Sequence, residues 1–246
     1  MKPTLDNSRD PLPPLLAFGA HPDDVEFGCG GVIARETGGG RRAHLIVCSR
    51  GESATHGTPD ERAAEARRAA EILGATLETV ELDGDARLEI RTAHVVKLAA
   101  VIRRVRPDVV LAPSLVENQH PDHPRLARLV RDAARLARYG GVKELRDSPP
   151  HAIQQLFFYA GSLDTEPRDI TPVLVDVSPP EVMAAWRAAM AAHESQTNAR
   201  DYVDLALTRA RLHGLRAGVD YAIALFPSDP VVVDALAPVS RGARGF

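Results

Sequence analysis

Cysteine is nearly missing from these 246 residues: Cys29 and Cys48 are the only two. Two thiols cannot staple a disulfide scaffold, so a reducing, cytoplasmic setting is the expectation. An excess of one charge is missing too. The formal net charge is −3, which leaves no basic surplus of the kind a nucleic-acid binder shows. No apolar run approaches the about 20 residues that span a bilayer, so no membrane partner is expected. Residues 1–14 lack the apolar stretch of a signal peptide. Segments 1–13 and 240–246 read as extended or frayed ends. What remains is ordinary globular material, 44% hydrophobic and 26% charged. That is enough to bury a sizeable core, and 1–246 reads as a single domain.

Two patterns alternate through the first 140 residues. Short apolar runs at 15–19, 43–47, 79–82 and 109–112 read as strands. Segments 25–37, 60–73, 92–105 and 124–138 read as helices. The second helix is expected to stop at Gly74 and the third before Pro107. Such alternation predicts βαβ units around a parallel sheet, and the unbroken apolar strands predict a sheet covered on both faces. Beyond Tyr139, 152–160, 172–177 and 221–226 read as strands, and 180–192 and 202–215 as helices. The expected class is α/β, a Rossmann-like three-layer fold with a mostly parallel sheet and a C-terminal elaboration.

The chemistry-bearing residues fall in two short strings. Ala20-His21-Pro22-Asp23-Asp24 stands where the first strand gives way to the first helix. That carboxyl edge is where open α/β sheets bind ligands. A plainer reading is a βα turn in which Asp23 or Asp24 caps the helix. The second string, His120-Pro121-Asp122-His123, follows the fourth strand at the same edge. Imidazole and carboxylate suit zinc, and a catalytic zinc keeps three protein ligands and one open position. His21, Asp24 and His123 supply such a set. Asp23 is then placed as general base, His120 as acid or oxyanion partner, and Asp122 as the carboxylate that orients His120. Two His and one carboxylate also suit Fe2+, as in non-haem oxygenases, although those favour β-rich scaffolds.

AHPDD after one strand and HPDH after a later one resemble the LmbE/PIG-L family of zinc-dependent N-deacetylases, Rossmann-like proteins acting on N-acetylglucosaminyl compounds. The resemblance implies zinc held by His21, Asp24 and His123, Asp23 as base and His120 as electrostatic or acid catalyst. It extends through 24–31, and through 62–66, where it makes Arg62 a substrate contact. The segments 193–196, 201–203 and 218–222 resemble the branch that deacetylates N-acetylglucosaminyl-malate in bacillithiol synthesis, which places Tyr202 at the substrate. Ile223 departs from that pattern, and Val25 separates Asp24 from Glu26. The resemblance further implies an amino-sugar substrate and a homo-oligomer, trimer or hexamer. A metal- or sugar-binding regulator without catalysis is the rival reading, and the presence of both Asp23 and His120 argues against it.

Other features have plainer readings. Gly28-Cys29-Gly30-Gly31 lacks dinucleotide-loop spacing, and is read as close helix packing with a buried structural Cys29. Residues 51–57 read equally as a substrate loop or a plain surface loop. His44, His94, His151 and His213 have no carboxylate nearby in sequence and read as structural or surface residues. Arg125, Arg128, Arg131, Arg135 and Arg138 read as a solvated helix face.

Overall fold

The computed structural model describes residues 12–117, 120–197, 201–233, 235, 236 and 242. Both expected frayed ends, 1–13 and 240–246, lie almost wholly outside the described residues. The elements run β1 (Leu15–Gly19), α1 (Asp24–Gly38), β2 (Ala43–Val47), α2 (Pro59–Ile72), β3 (Thr76–Thr79), α3 (Thr92–Val105), β4 (Val109–Pro113) and α4 (Asp122–Ala137). They continue with β5 (Gln155–Tyr159), β6 (Val173–Asp176), α5 (Pro180–Ala191), α6 (Glu194–Thr197), α7 (Tyr202–Ala217) and β7 (Ala222–Pro227). The seven strands form one sheet in the order β3-β2-β1-β4-β5-β7-β6. The first five are parallel, and β7 runs antiparallel to both neighbours. The mostly parallel α/β class expected from the sequence is the one observed.

The sheet is buried on both faces because its central strands are apolar at every position. Leu16 and Phe18 of β1 face a core made with α3 and α4. Leu15 and Ala17 face a second core made with α1, α2, α5 and α7. The glycines of α1 allow this second layer to close. A Cβ on Gly28 would lie 2.2 Å from the Tyr159 ring, and one on Gly30 would lie 2.8 Å from Trp186. Helix α2 starts on a capping box, Thr58 with Glu61, and Pro59 sits in its first turn. It ends as expected, with Gly74 at φ +66° just beyond it. Among the described residues no helix is long and apolar enough to cross a membrane.

One strand is displaced from its expected place. The third, expected at 79–82, is β3 at Thr76–Thr79, fixed by its register against His44–Val47 of β2. It is an edge strand with mostly exposed side chains, so its polar sequence carries little signal. The more apolar stretch after it still follows β2, with Val80 N–H donating to Val47 O at 2.8 Å.

Candidate metal centre and catalytic cleft

Strands β1 and β4 are neighbours, and the crossover reverses between them: β2 and β3 lie to one side of β1, β4 and β5 to the other. A crevice opens at such a switch point. The AHPDD turn leaves β1 into it and the HPDH segment leads from β4 into α4, so one topological fact brings together residues about 100 positions apart.

Neither aspartate caps α1. Asp23 stands at the N-cap with φ 120° and makes no capping bond. A non-glycine residue there is strained, and such strain collects at functional turns. Asp24 folds back instead. Its Oδ2 accepts from the N–H groups of Ala20 at 2.7 Å and His21 at 2.9 Å, which clamps the turn and fixes the carboxylate. His123 Nε2 lies 3.0 Å from Asp24 Oδ1 and 3.3 Å from His21 Nδ1. His21 Nδ1 is in turn 3.5 Å from the Asp24 carboxylate. Donors about 2.0–2.1 Å from a tetrahedral ion stand roughly 3.3 Å from each other. The His123 contact is to Asp24 Oδ1 and the His21 contact to Oδ2. Ring nitrogens of His21, His120 and His123 lie within 4.8 Å of one another, as do donor atoms of His21, Asp85, His120 and Asp122, so the cluster as a whole fits a divalent cation.

A second row of carboxylates backs the first. His21 Nε2 lies 3.1 Å from Asp85 Oδ1 and 3.5 Å from Asp122 Oδ2. Neither contact is aligned as a hydrogen bond, yet carboxylates on the far nitrogen leave Nδ1 for a metal. Burial opposes charge on His21, but Asp24, Asp122 and Asp85 outweigh it and push its pKa up to about 12. The carboxylates around His21 thus favour positive charge at this place. The same balance, burial against nearby histidines, leaves Asp24 well below the usual carboxylate range.

Asp122, expected to orient His120, instead accepts from Ala86 N–H at 2.8 Å and faces His21. The carboxylate 3.4 Å from His120 Nε2 is that of Asp85. Asp122 opens α4, and its first-turn position turns its oxygens back under His21. Asp85 has no place among the sequence candidates because its loop follows a strand with little apolar signal. The string that could reveal it is Asp83-Gly84-Asp85, two acids around a glycine at the active edge. Loop 50–53 locks it: Ser53 N–H donates to Asp85 Oδ2 at 3.1 Å, and Glu52 Oε1 accepts from Asp85 N–H at 2.9 Å.

Arg62, expected to touch substrate, lines the cleft, but it is buried, and both its Nη atoms donate to the protein while Nε finds no partner among the described residues. Nη1 donates to Gly51 O at 3.0 Å, and Nη2 to Pro22 O at 2.9 Å and Asp23 Oδ2 at 3.2 Å. Gly51, at φ +68°, admits the guanidinium only because it lacks a Cβ, which would lie 1.9 Å from Nη1. Burial, helped by the charge of Asp24, pushes Asp23 up to about 6, while Arg62, His193 and His21 pull the other way. His120 sits lower than a free histidine, because burial and the neighbouring His21 and His123 disfavour its charge.

These groups floor a cleft of about 630 Å³. Loop residues Ser53, Thr55 and His56 line one side, so segment 51–57 reaches the site. Tyr202 lines the cleft as well, with Phe27, Tyr159 and Leu205. Two of the histidines read as structural face carboxylates: His213 Nε2 is 2.7 Å from Glu166, and His94 Nε2 is 3.4 Å from Asp83. Cys29 is fully buried, as expected.

Fold and site together define a Rossmann-like α/β protein with a His/Asp metal-binding cleft at the sheet's switch point. The family model described as PIG-L, GlcNAc-PI de-N-acetylase, matches residues 16–134. The diacetylchitobiose deacetylase of Thermococcus kodakarensis is 30% identical over 194 residues, covering 74% of this chain and 69% of that protein. The 4-oxalmesaconate hydratase of Pseudomonas putida is 34% identical over 149 residues, 56% of this chain and 57% of that protein. Thus the chain matches little more than half the length of the hydratase. Among solved structures, the conserved protein TT1542 from Thermus thermophilus is 34% identical, with a TM-score of 0.79 over 93% of this chain and 99% of that one. The chain belongs to the PIG-L family.

Proposed function

We propose that the chain is a metal-dependent hydrolase that removes the acetyl group from an N-acetylglucosaminyl compound. The observation that carries this reading is the meeting of His21, Asp24 and His123, with His123 Nε2 3.0 Å from Asp24 Oδ1 and 3.3 Å from His21 Nδ1 and the Asp23 carboxylate next in the chain. A divalent cation held there, Zn2+ or Fe2+, supplies Lewis-acid polarisation of the amide carbonyl and lowers the pKa of a water molecule.

The chain's own residues supply the rest. Asp23, held by Arg62, takes the proton of the attacking water. Water oxygen bonds to the carbonyl carbon, and the carbonyl oxygen gains charge. His120, whose charged form is disfavoured by burial and by His21 and His123, presents an N–H to that oxyanion. The C–N bond breaks, and the proton gathered by Asp23 leaves with the amine. The products are acetate and a free amino sugar. Asp85 Oδ1 faces both His21 and His120, at 3.1 and 3.4 Å from their Nε2 atoms.

N-acetylglucosaminyl-malate is the substrate to which the segments around His193 and Tyr202 point. The match to the diacetylchitobiose deacetylase favours N-acetylglucosamine oligomers as well. A second reading, addition of water to a carbon–carbon double bond, is favoured by the match to the hydratase, since an activated water and a base serve either reaction. An acetate-release assay separates them. The expected result is acetate from N-acetylglucosaminyl-malate, N,N'-diacetylchitobiose or N-acetylglucosamine. No acetate, with hydration of 4-oxalmesaconate, favours the second reading. Tight sugar binding without turnover means a regulator.

A further inference from the structure

We infer that the molecule whose amide is cut carries an apolar moiety of several carbons, which lies along a wall formed by Phe27, Tyr159, Tyr202, Leu205 and Ala206. This inference rests on the deacetylase reading and narrows its substrate class, in favour of a less polar compound than the N-acetylglucosaminyl-malate named above.

The cleft has two chemically different sides. Ser53, Thr55 and His56 of the loop after β2 form a polar side, joined by Gln196, whose Nε2 donates to His56 O at 2.8 Å. The rest of the lining carries an apolar strip that begins beside the metal centre. Phe27 is three residues beyond Asp24, and its ring centroid lies 6.2 Å from that of Tyr202 in an edge-on arrangement. Helix α7 continues the strip, because Tyr202, Leu205 and Ala206 recur at i, i+3 and i+4 on one helix face. Tyr202 is 41% exposed and Leu205 42%. Leu212 and Leu215 on the same helix are exposed as well but lie outside the cleft, so it is the place in the cavity lining, not exposure alone, that sets Tyr202 and Leu205 apart. A volume of about 630 Å³ falls within the about 300–1,000 Å³ that suits ligands of drug-like size. Exposed apolar surface lining such a cavity marks where a ligand displaces water. A sugar ring suits the polar side; an alkyl or aryl group suits the other.

The apolar moiety has two possible sources, an N-acyl chain longer than acetyl or an apolar aglycone. Two substrate series distinguish them, with amine release as the readout. One is glucosamine N-acylated with acetyl, butanoyl, hexanoyl and octanoyl groups. The other is the methyl, hexyl and phenyl glycosides of N-acetylglucosamine, with N-acetylglucosaminyl-malate as the polar comparison. A fully buried methylene gives about a fourfold gain, and the half-exposed rim lowers this to about two- to fourfold. The expected result is that kcat/KM rises by this factor per methylene along one series, and that Leu205→Asn flattens the rise while Leu212→Asn does not. Turnover that is flat or falling along both series, or best with the malate compound, overturns the inference and leaves the deacetylase reading standing. No amine release from any compound overturns both. Because the series are run first on the unaltered chain, the outcome does not depend on how any variant folds.

Discussion

Asp23 carries the most chemistry at the residue scale. It is strained at φ 120°, pinned by Arg62 and raised by burial to about 6. Asp23→Asn keeps its shape and should retain metal, because His21, Asp24 and His123 are untouched. Its kcat should fall by about 10²–10⁴. Metal analysis beside acetate-release kinetics checks this, and loss of the metal would show that Asp23 is a ligand. The pH dependence has a definite sign. A base works deprotonated, so kcat/KM falls as pH drops through the Asp23 pKa. A bound cation favours the charged form, which puts that limb at or below about pH 6. Arg62 also pulls the pKa down, so Arg62→Met should move the limb to higher pH. The same change leaves Asp23 and two carbonyls without their buried cation and should cost about 3 kcal/mol in thermal or denaturant unfolding. Asp85→Asn should weaken metal binding by about 10- to 100-fold, since it acts on His21 from behind. A metal-competition titration reads that directly.

Helix α1 matters most at the scale of elements, because it begins at Asp24. It departs from helical geometry at Cys29, with φ −146° and ψ 15°. Arg209 Nη2 of α7 donates to the carbonyls of Phe27 at 3.1 Å and Gly28 at 3.4 Å, and Trp186 Nε1 of α5 donates to that of Glu26 at 2.7 Å. The first turn of α1 is thus held by two later helices. Gly28→Ala would drive a Cβ into Tyr159, whose hydroxyl donates to Phe18 O at 2.7 Å. The change should cost about 1–3 kcal/mol, measured by thermal unfolding. These dependences explain what the sequence can and cannot show. Strands β1 and β4 announce themselves as unbroken apolar runs that lead to the two motifs, so the fold and the meeting of His21, Asp24 and His123 are legible. The edge strand β3 is not, because its residues are polar. The place of Asp85 behind His21 and the hold of Arg62 on Asp23 are hidden for a related reason. Both depend on which loop packs on which, and spacing along the chain does not encode that. The pairing of Asp122 with His21 rather than His120 likewise follows from the direction in which α4 starts.

At the scale of the whole molecule, the sheet order explains why a site exists at all. The reversal between β1 and β4 opens a crevice, and both motifs sit on its rim. Six acidic or histidine side chains, His21, Asp24, Asp85, His120, Asp122 and His123, crowd there, and three of them are carboxylates. That concentration of charge is stabilised by a cation, so metal loading should raise the unfolding temperature as well as the rate. The most direct test of the metal-dependent reading is acetate release by the chain after chelation and dialysis, followed by addition of Zn2+ or Fe2+. The predicted result is that the stripped protein stays folded but is inactive, and that about one equivalent of metal restores turnover in the unaltered chain and not in His123→Ala. Full turnover by the stripped protein would contradict it.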